Sequence, residues 1–206
     1  MGRSEYYEEM KDLARLVRAE FGISIPRVMK SDLRKIFRHH GIEYELWPHK
    51  FKKLRGAFIN DDYGPSIMVA KDMPPEPTVF TMAHELKHFL KDKDIATSYC
   101  DPSNQKAEIE IGAEVFAAEL LFPDADFKTH MASAGVTLGN CTAEHLVRLK
   151  NSTKTTLSYT GLAKKAVFLG FAPKGAFDEV KWKRLEESIF GVPFYKRFKG
   201  RRRKNT

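Results

Sequence analysis

The chain has 206 residues, 42% of them hydrophobic, enough for one substantial core or a core with a small satellite unit. Its formal net charge of +8 suggests a nucleic-acid partner, but Lys196, Arg197, Lys199, Arg201, Arg202, Arg203 and Lys204 supply seven of those charges, so the basicity belongs to a tail. Two cysteines, Cys100 and Cys141, are too few for a disulfide scaffold and fit a reducing cytoplasm; residues 1–11 have no secretory apolar region, and no stretch approaches the roughly 20 apolar residues of a membrane span.

Taken in chain order, residues 5–21 place Met10, Leu13, Leu16, Val17 and Phe21 at helical spacing and end at Gly22, a glycine stop. Ser31 or Asp32 can cap a second helix that runs through His40 and ends at Gly41. Residues 42–47 alternate as a strand, and further strands are predicted at 54–60 and 66–70 around the turn Asp61-Asp62-Tyr63-Gly64-Pro65. After the Pro-rich segment 73–77, Pro77 or Thr78 opens a helix that meets no Gly or Pro before Asp94. A second long helix is predicted from about Ser103 to Phe122, before Pro123. Beyond it, 142–150 and 158–169 read as helices joined by a polar loop, and 196–206 as a disordered basic tail.

The helix after the Pro-rich segment carries His84-Glu85-Leu86-Lys87-His88 within an apolar run. Residues four apart lie one turn apart on one face, so both imidazoles can hold one Zn²⁺ with Glu85 beside it, the constellation of a metal-dependent hydrolase. A catalytic zinc wants a third protein ligand and one open position. Asp94 is a possible carboxylate ligand, but Lys91 and Asp94 stand where the metzincin continuation needs Gly and His. The stronger source is the following helix, where Glu110 and Glu114 share a face with Ala107, Ala113 and Ala117. Small residues beside acids suit close packing on the His84 helix, so one acid can reach the metal while the other orients a ligand imidazole. Glu108 and Glu119 read as a solvated charged face. Candidate oxyanion stabilisers are Tyr63, Tyr99, His130, His145 and Tyr159; Cys100 is left outside the site, and His39, His40 and His49 are expected to be exposed.

Residues 54–58, 66–70, 80–90, 110–123 and 158–170 together resemble the ImmA/IrrE metallopeptidases. The resemblance implies an α+β, zincin-like domain with a small antiparallel sheet, two active-site helices and a helical C-terminal subdomain. It places the zinc histidines on His84 and His88, the catalytic glutamate on Glu85 and the third ligand on Glu110. The family commonly has Asn or Asp four residues after that ligand; this chain has Glu114, still able to accept a hydrogen bond from an imidazole. The family's usual Gly before the second His is Lys87 here, expected at an exposed position of little consequence. The expected organisation is a metallopeptidase domain over 1–123, a helical subdomain over 124–195 and the tail 196–206.

The resemblance also implies the substrate class: a helix-turn-helix transcriptional repressor, cut in a stress-response or mobile-element switch. The alternative is a non-proteolytic antitoxin or anti-repressor that holds its partner on the same fold, although a binder has no need of Glu85. A third possibility, DNA binding by the helices over 142–169, is weaker, and the tail reads as a nonspecific electrostatic arm for DNA.

Overall fold

In a computed structural model of the chain, the described residues are 2–48, 55–93, 98–99 (backbone alone) and 107–193. His49, Leu54, Asp94, Cys100, Ser103, the Tyr99 side chain and the tail 196–206 lie outside them. The chain divides into two compact units, Met1–Phe127 with Thr153–Ser158, and Lys128–Ser152 with Tyr159–Thr206.

In the first unit, α1 (Arg3–Glu20) stops where Gly22 takes φ +63°, a left-handed conformation that only glycine adopts freely. α2 (Lys30–His39) has Met29 rather than Ser31 or Asp32 at its cap position. Asp32 acts from the first turn, its carboxylate accepting the Met29 N–H at 2.9 Å.

β1 (Glu43–Trp47), β2 (Gly56–Asp61), β3 (Gly64–Ala70) and the two-residue β4 (Ser98–Tyr99) form one sheet in the order β1-β3-β2-β4. The β2–β3 hairpin is antiparallel, but β1 pairs parallel with β3, so the sheet is mixed and not antiparallel throughout. Alternation of side chains does not encode which strand is the neighbour. Burial decides it: Gly56, Ala57 and Phe58 are buried, which suits β2 to an inner position, while β1 is largely exposed and suits an edge.

α3 (Pro75–Lys91) begins two residues before Pro77, with Pro75 in its first turn, where the missing N–H has no intrahelical partner to lose. It is buried on nearly every face, because the sheet, α2 and α4 pack around it. α4 spans Glu108–Leu121 with Ala107 at its N-cap; the expected start near Ser103 lies outside the described residues. Its Ala113 and Ala117 are fully buried between α1 and α3, and Gly112 admits the Tyr6 ring of α1 to a distance where a Cβ would lie 2.5 Å from the Tyr6 hydroxyl.

Polar groups stitch α1 to α4. Arg18 donates to Leu120 O at 2.7 Å and Ile25 O at 3.0 Å. Arg15 Nε donates to Glu119 Oε1 at 3.0 Å, and Glu119 Oε2 accepts the Asp124 N–H at 2.9 Å. Glu119 is therefore not on a solvated face: it is 1% exposed, tolerable because both oxygens are bonded. Glu108 is exposed, 4.0 Å from Arg3. The segment Thr153–Ser158 belongs to this unit, where Thr156 Oγ1 donates to Val28 O at 2.7 Å.

The second unit is helical. It takes in most of α5 (Asp124–Ser133) and α6 (Ala143–Thr153), with α7 (Tyr159–Phe168) and α8 (Trp182–Phe190), around buried Met131, Leu146, Val147, Leu162, Ala166 and Phe171. α5 and α8 are absent from the sequence reading. Tyr159 stacks on Trp182 at 5.1 Å with Lys150 over its ring, which explains its aromatic character structurally. Among the described residues, no helix is long and apolar enough to cross a membrane.

Candidate metal centre

His84, His88 and Glu110 come together although 26 residues separate the first from the last. His84 Nε2 lies 3.2 Å from His88 Nε2 and 3.2 Å from Glu110 Oε2, and His88 Nε2 lies 3.4 Å from Glu110 Oε1. A four-coordinate ion with bonds of about 2.05 Å would hold its ligand atoms about 3.3 Å apart, so the set fits a zinc-sized cation. Two imidazole nitrogens at this separation repel through their lone pairs unless a cation or proton lies among them. The residues are thus compatible with metal binding on the chemistry and spacing of their donors.

The placement of each of the three residues has a local cause. One helical turn of α3 stacks His84 over His88. Glu110 stands in the first turn of α4, where the positive end of the helix dipole favours a carboxylate. Burial alone would lower the His84 pKa, but the hydrogen bond with Glu110 and the charges of Glu85, Glu110 and Glu114 outweigh it and hold the imidazole above its ordinary value. Glu114 is exposed and acts on His84 through its charge.

The residue on the far side of His88 is one that sequence reasoning missed. Asp92, the C-cap of α3, accepts the His88 Nδ1–H at 2.7 Å. That bond fixes the proton on Nδ1 and leaves the Nε2 lone pair facing His84 and Glu110. Its i, i+4 spacing from His88 was the available signal. Burial raises the Asp92 pKa, but the hydrogen bonds from His88 and Lys87 and their charges prevail, so it lies below its ordinary value.

Lys87 corrects an expectation outright. It is 0% exposed, not on the surface, and its Nζ donates to Asp92 Oδ2 at 2.7 Å and Ile109 O at 3.1 Å. Because α3 is buried on nearly every face, even a position off the histidine face is interior.

Glu85, one residue after His84, is 1% exposed. The sheet closes over it at Gly56, where a Cβ would lie 2.9 Å from Glu85 Oε1 and 2.4 Å from Thr81 Cγ2. Only glycine lets β2 approach α3 this closely.

The remaining candidates lie on other parts of the fold. Tyr63 is 98% exposed at the hairpin tip, and His130, His145 and Tyr159 belong to the second unit. His39 is exposed, 3.6 Å from Glu20, but His40 is half-buried against Phe21 and Phe89. Burial, followed by the charges of His39 and Lys93, pushes the His40 pKa down.

Comparison with curated proteins found no match. The family model described as the IrrE N-terminal-like domain matches residues 38–155, a span that takes in β1, the hairpin, α3 with His84 and His88, and α4 with Glu110. With more than half of the chain matched, and with the α+β architecture around its two central helices, the protein belongs to the IrrE N-terminal-like domain family, peptidase family M78, a family of metallopeptidases.

Proposed function

We propose that the chain is a zinc-dependent cytoplasmic endopeptidase that cleaves a helix-turn-helix transcriptional repressor in a stress-response or mobile-element switch. The observation that carries the peptidase reading is the convergence of His84 Nε2, His88 Nε2 and the Glu110 carboxylate beside the buried Glu85. The repressor rests on family resemblance.

His84, His88 and Glu110 would hold the zinc, which when bound supplies Lewis-acid activation of a water nucleophile and of the scissile carbonyl. Glu85 is the general base: it takes the proton of the attacking water and delivers it to the leaving amine, a contribution of typically 10²–10⁴-fold. Its burial keeps the carboxylate in a low-dielectric setting where proton transfer does not compete with bulk solvent. Asp92 holds His88 in the tautomer that presents Nε2, and Glu114 biases His84 through its charge. The sheet has edge strands on which an extended substrate segment can add. The peptidase function is assigned to residues 1–123, with 124–195 a helical subdomain. The basic run 196–204 would concentrate the enzyme near DNA-bound substrate by nonspecific, salt-sensitive contact.

The test is elemental analysis combined with one isosteric variant. Wild type should carry about one zinc per chain, and His84→Ala and Glu110→Ala should lose it. Glu85→Gln should retain zinc and partner binding and abolish cleavage. If the wild type neutralises its partner without cutting it, and Glu85→Gln does so equally well, the chain is a binding module instead.

A further inference from the structure

We propose that Lys87 is a positioning residue of the metal centre, its one buried ammonium orienting His88 through Asp92 and Glu110 through the Ile109 carbonyl. The inference rests on the reading of His84, His88 and Glu110 as ligands and adds to it a group that touches none of them.

The geometry assigns each donor a task. Lys87 Nζ donates to Asp92 Oδ2 at 2.7 Å, the same oxygen that accepts His88 Nδ1–H at 2.7 Å. A carboxylate oxygen held by two donors has its rotamer fixed, so the imidazole plane is fixed with it. Nζ also donates to Ile109 O at 3.1 Å, the carbonyl immediately before Glu110. That bond ties the first turn of α4 to α3 one residue before His88, and so fixes how far the Glu110 carboxylate stands from the two histidines. The ammonium further lies 5.8 Å from the Tyr6 ring centroid of α1, so one side chain engages three helices.

Charge gives the same answer. Asp92 sits at the C-terminal cap of α3, the negative end of the helix dipole, where a carboxylate is disfavoured. Lys87 is the buried cation that offsets it, at 0% exposure and with no room for bulk water to do so. A buried lysine is costly unless its donors are met, and here they are spent on groups adjoining two different ligands.

The experiment uses the full chain with Lys87→Met, which keeps length without a donor, and Asp92→Asn, which is isosteric. Zinc affinity is read by competition with a chromophoric chelator, site geometry by the visible absorption of the cobalt(II)-loaded protein, and folding by thermal melting of the metal-free form. Each variant should weaken zinc binding about ten- to a hundred-fold and alter the cobalt spectrum. Because Lys87 acts partly through Asp92, the double variant should lose less than the product of the two single losses. Lys87→Gln, too short to span both Asp92 and Ile109, is measured alongside in case the methionine variant does not fold, and should also bind zinc more weakly. Wild-type affinity and spectrum in a folded Lys87 variant, even with a lowered melting temperature, would reduce Lys87 to a structural role and overturn the inference. Absence of zinc binding by the wild type would overturn the metal-centre reading and this inference with it.

Discussion

Replacing Gly56 with alanine should push β2 away from α3 at the point where it covers Glu85. The new Cβ would lie 2.4 Å from Thr81 Cγ2, 2.9 Å from Glu85 Oε1 and 3.1 Å from Met68 O. Carbon–carbon contacts are comfortable at about 3.5–4.0 Å, so the first is more than an ångström too short. Thr81 is buried in α3, and Met68 O is backbone of the paired strand, so the groups that can yield are β2 itself and the Glu85 carboxylate. Overpacking of this kind costs about 1–3 kcal/mol. Gly56 is not among the positive-φ glycines, so alanine also narrows the unfolded ensemble, a gain of about 0.4–1 kcal/mol. The expected net loss is about 1–2 kcal/mol in urea denaturation of the metal-free protein. Peptidase activity should fall further, about 10²-fold, because a displacement of about 1 Å in a catalytic group costs that much. Zinc stoichiometry should hold, since none of the closest contacts is a ligand. Adding Thr81→Ser removes the shortest contact and should recover part of the stability without the rate. Wild-type stability and rate in Gly56→Ala would refute the close approach of sheet and helix.

Two further outcomes follow from groups away from the metal. Lys11 pairs with Asp124 at 2.9 Å and Glu8 at 2.7 Å. Burial alone would lower its pKa, but these hydrogen bonds and charges hold it above the ordinary 10.5, so its stabilisation is complete below that pH and is lost as pH rises through the folded value. Lys11→Met should therefore cost about 1–3 kcal/mol at pH 7 and flatten the fall of melting temperature above pH 10.5; superimposable alkaline limbs would contradict the pairing. Burial pushes the Cys141 thiol up to about 11 from 9.0, so in a Cys100→Ser background its labelling at pH 8 should be about 100-fold slower folded than unfolded, and equal rates would place it at the surface.

Local pattern made several parts of this protein legible. The i, i+4 histidines needed only the helical period to share a face, and the period was visible in the apolar residues around them. Gly22 and Gly41 marked helix ends because a left-handed backbone is a property of the single residue. Glu110 was legible for a related reason: an acid flanked by alanines predicts a face that packs closely, and Ala113 and Ala117 are buried in such a contact.

What local pattern does not carry is the identity of the neighbour. Glu119 reads as a surface acid until α1 supplies Arg15, and Lys87 reads as a surface base until α4 supplies the Ile109 carbonyl and the end of its own helix supplies Asp92. A charged side chain has one composition signal whether water or a partner meets its needs, so burial of charge becomes visible only once helices far apart in sequence are side by side. The sheet behaves in the same way, since β1 pairs with β3 and not with β2 through a choice that strand alternation leaves open. The sequence by itself determined which residues are candidate metal donors, because donor type and helical spacing are local properties; only the tertiary structure decided that Glu110 meets the histidines and that Lys87 and Glu119 are enclosed, because those are contacts between distant segments.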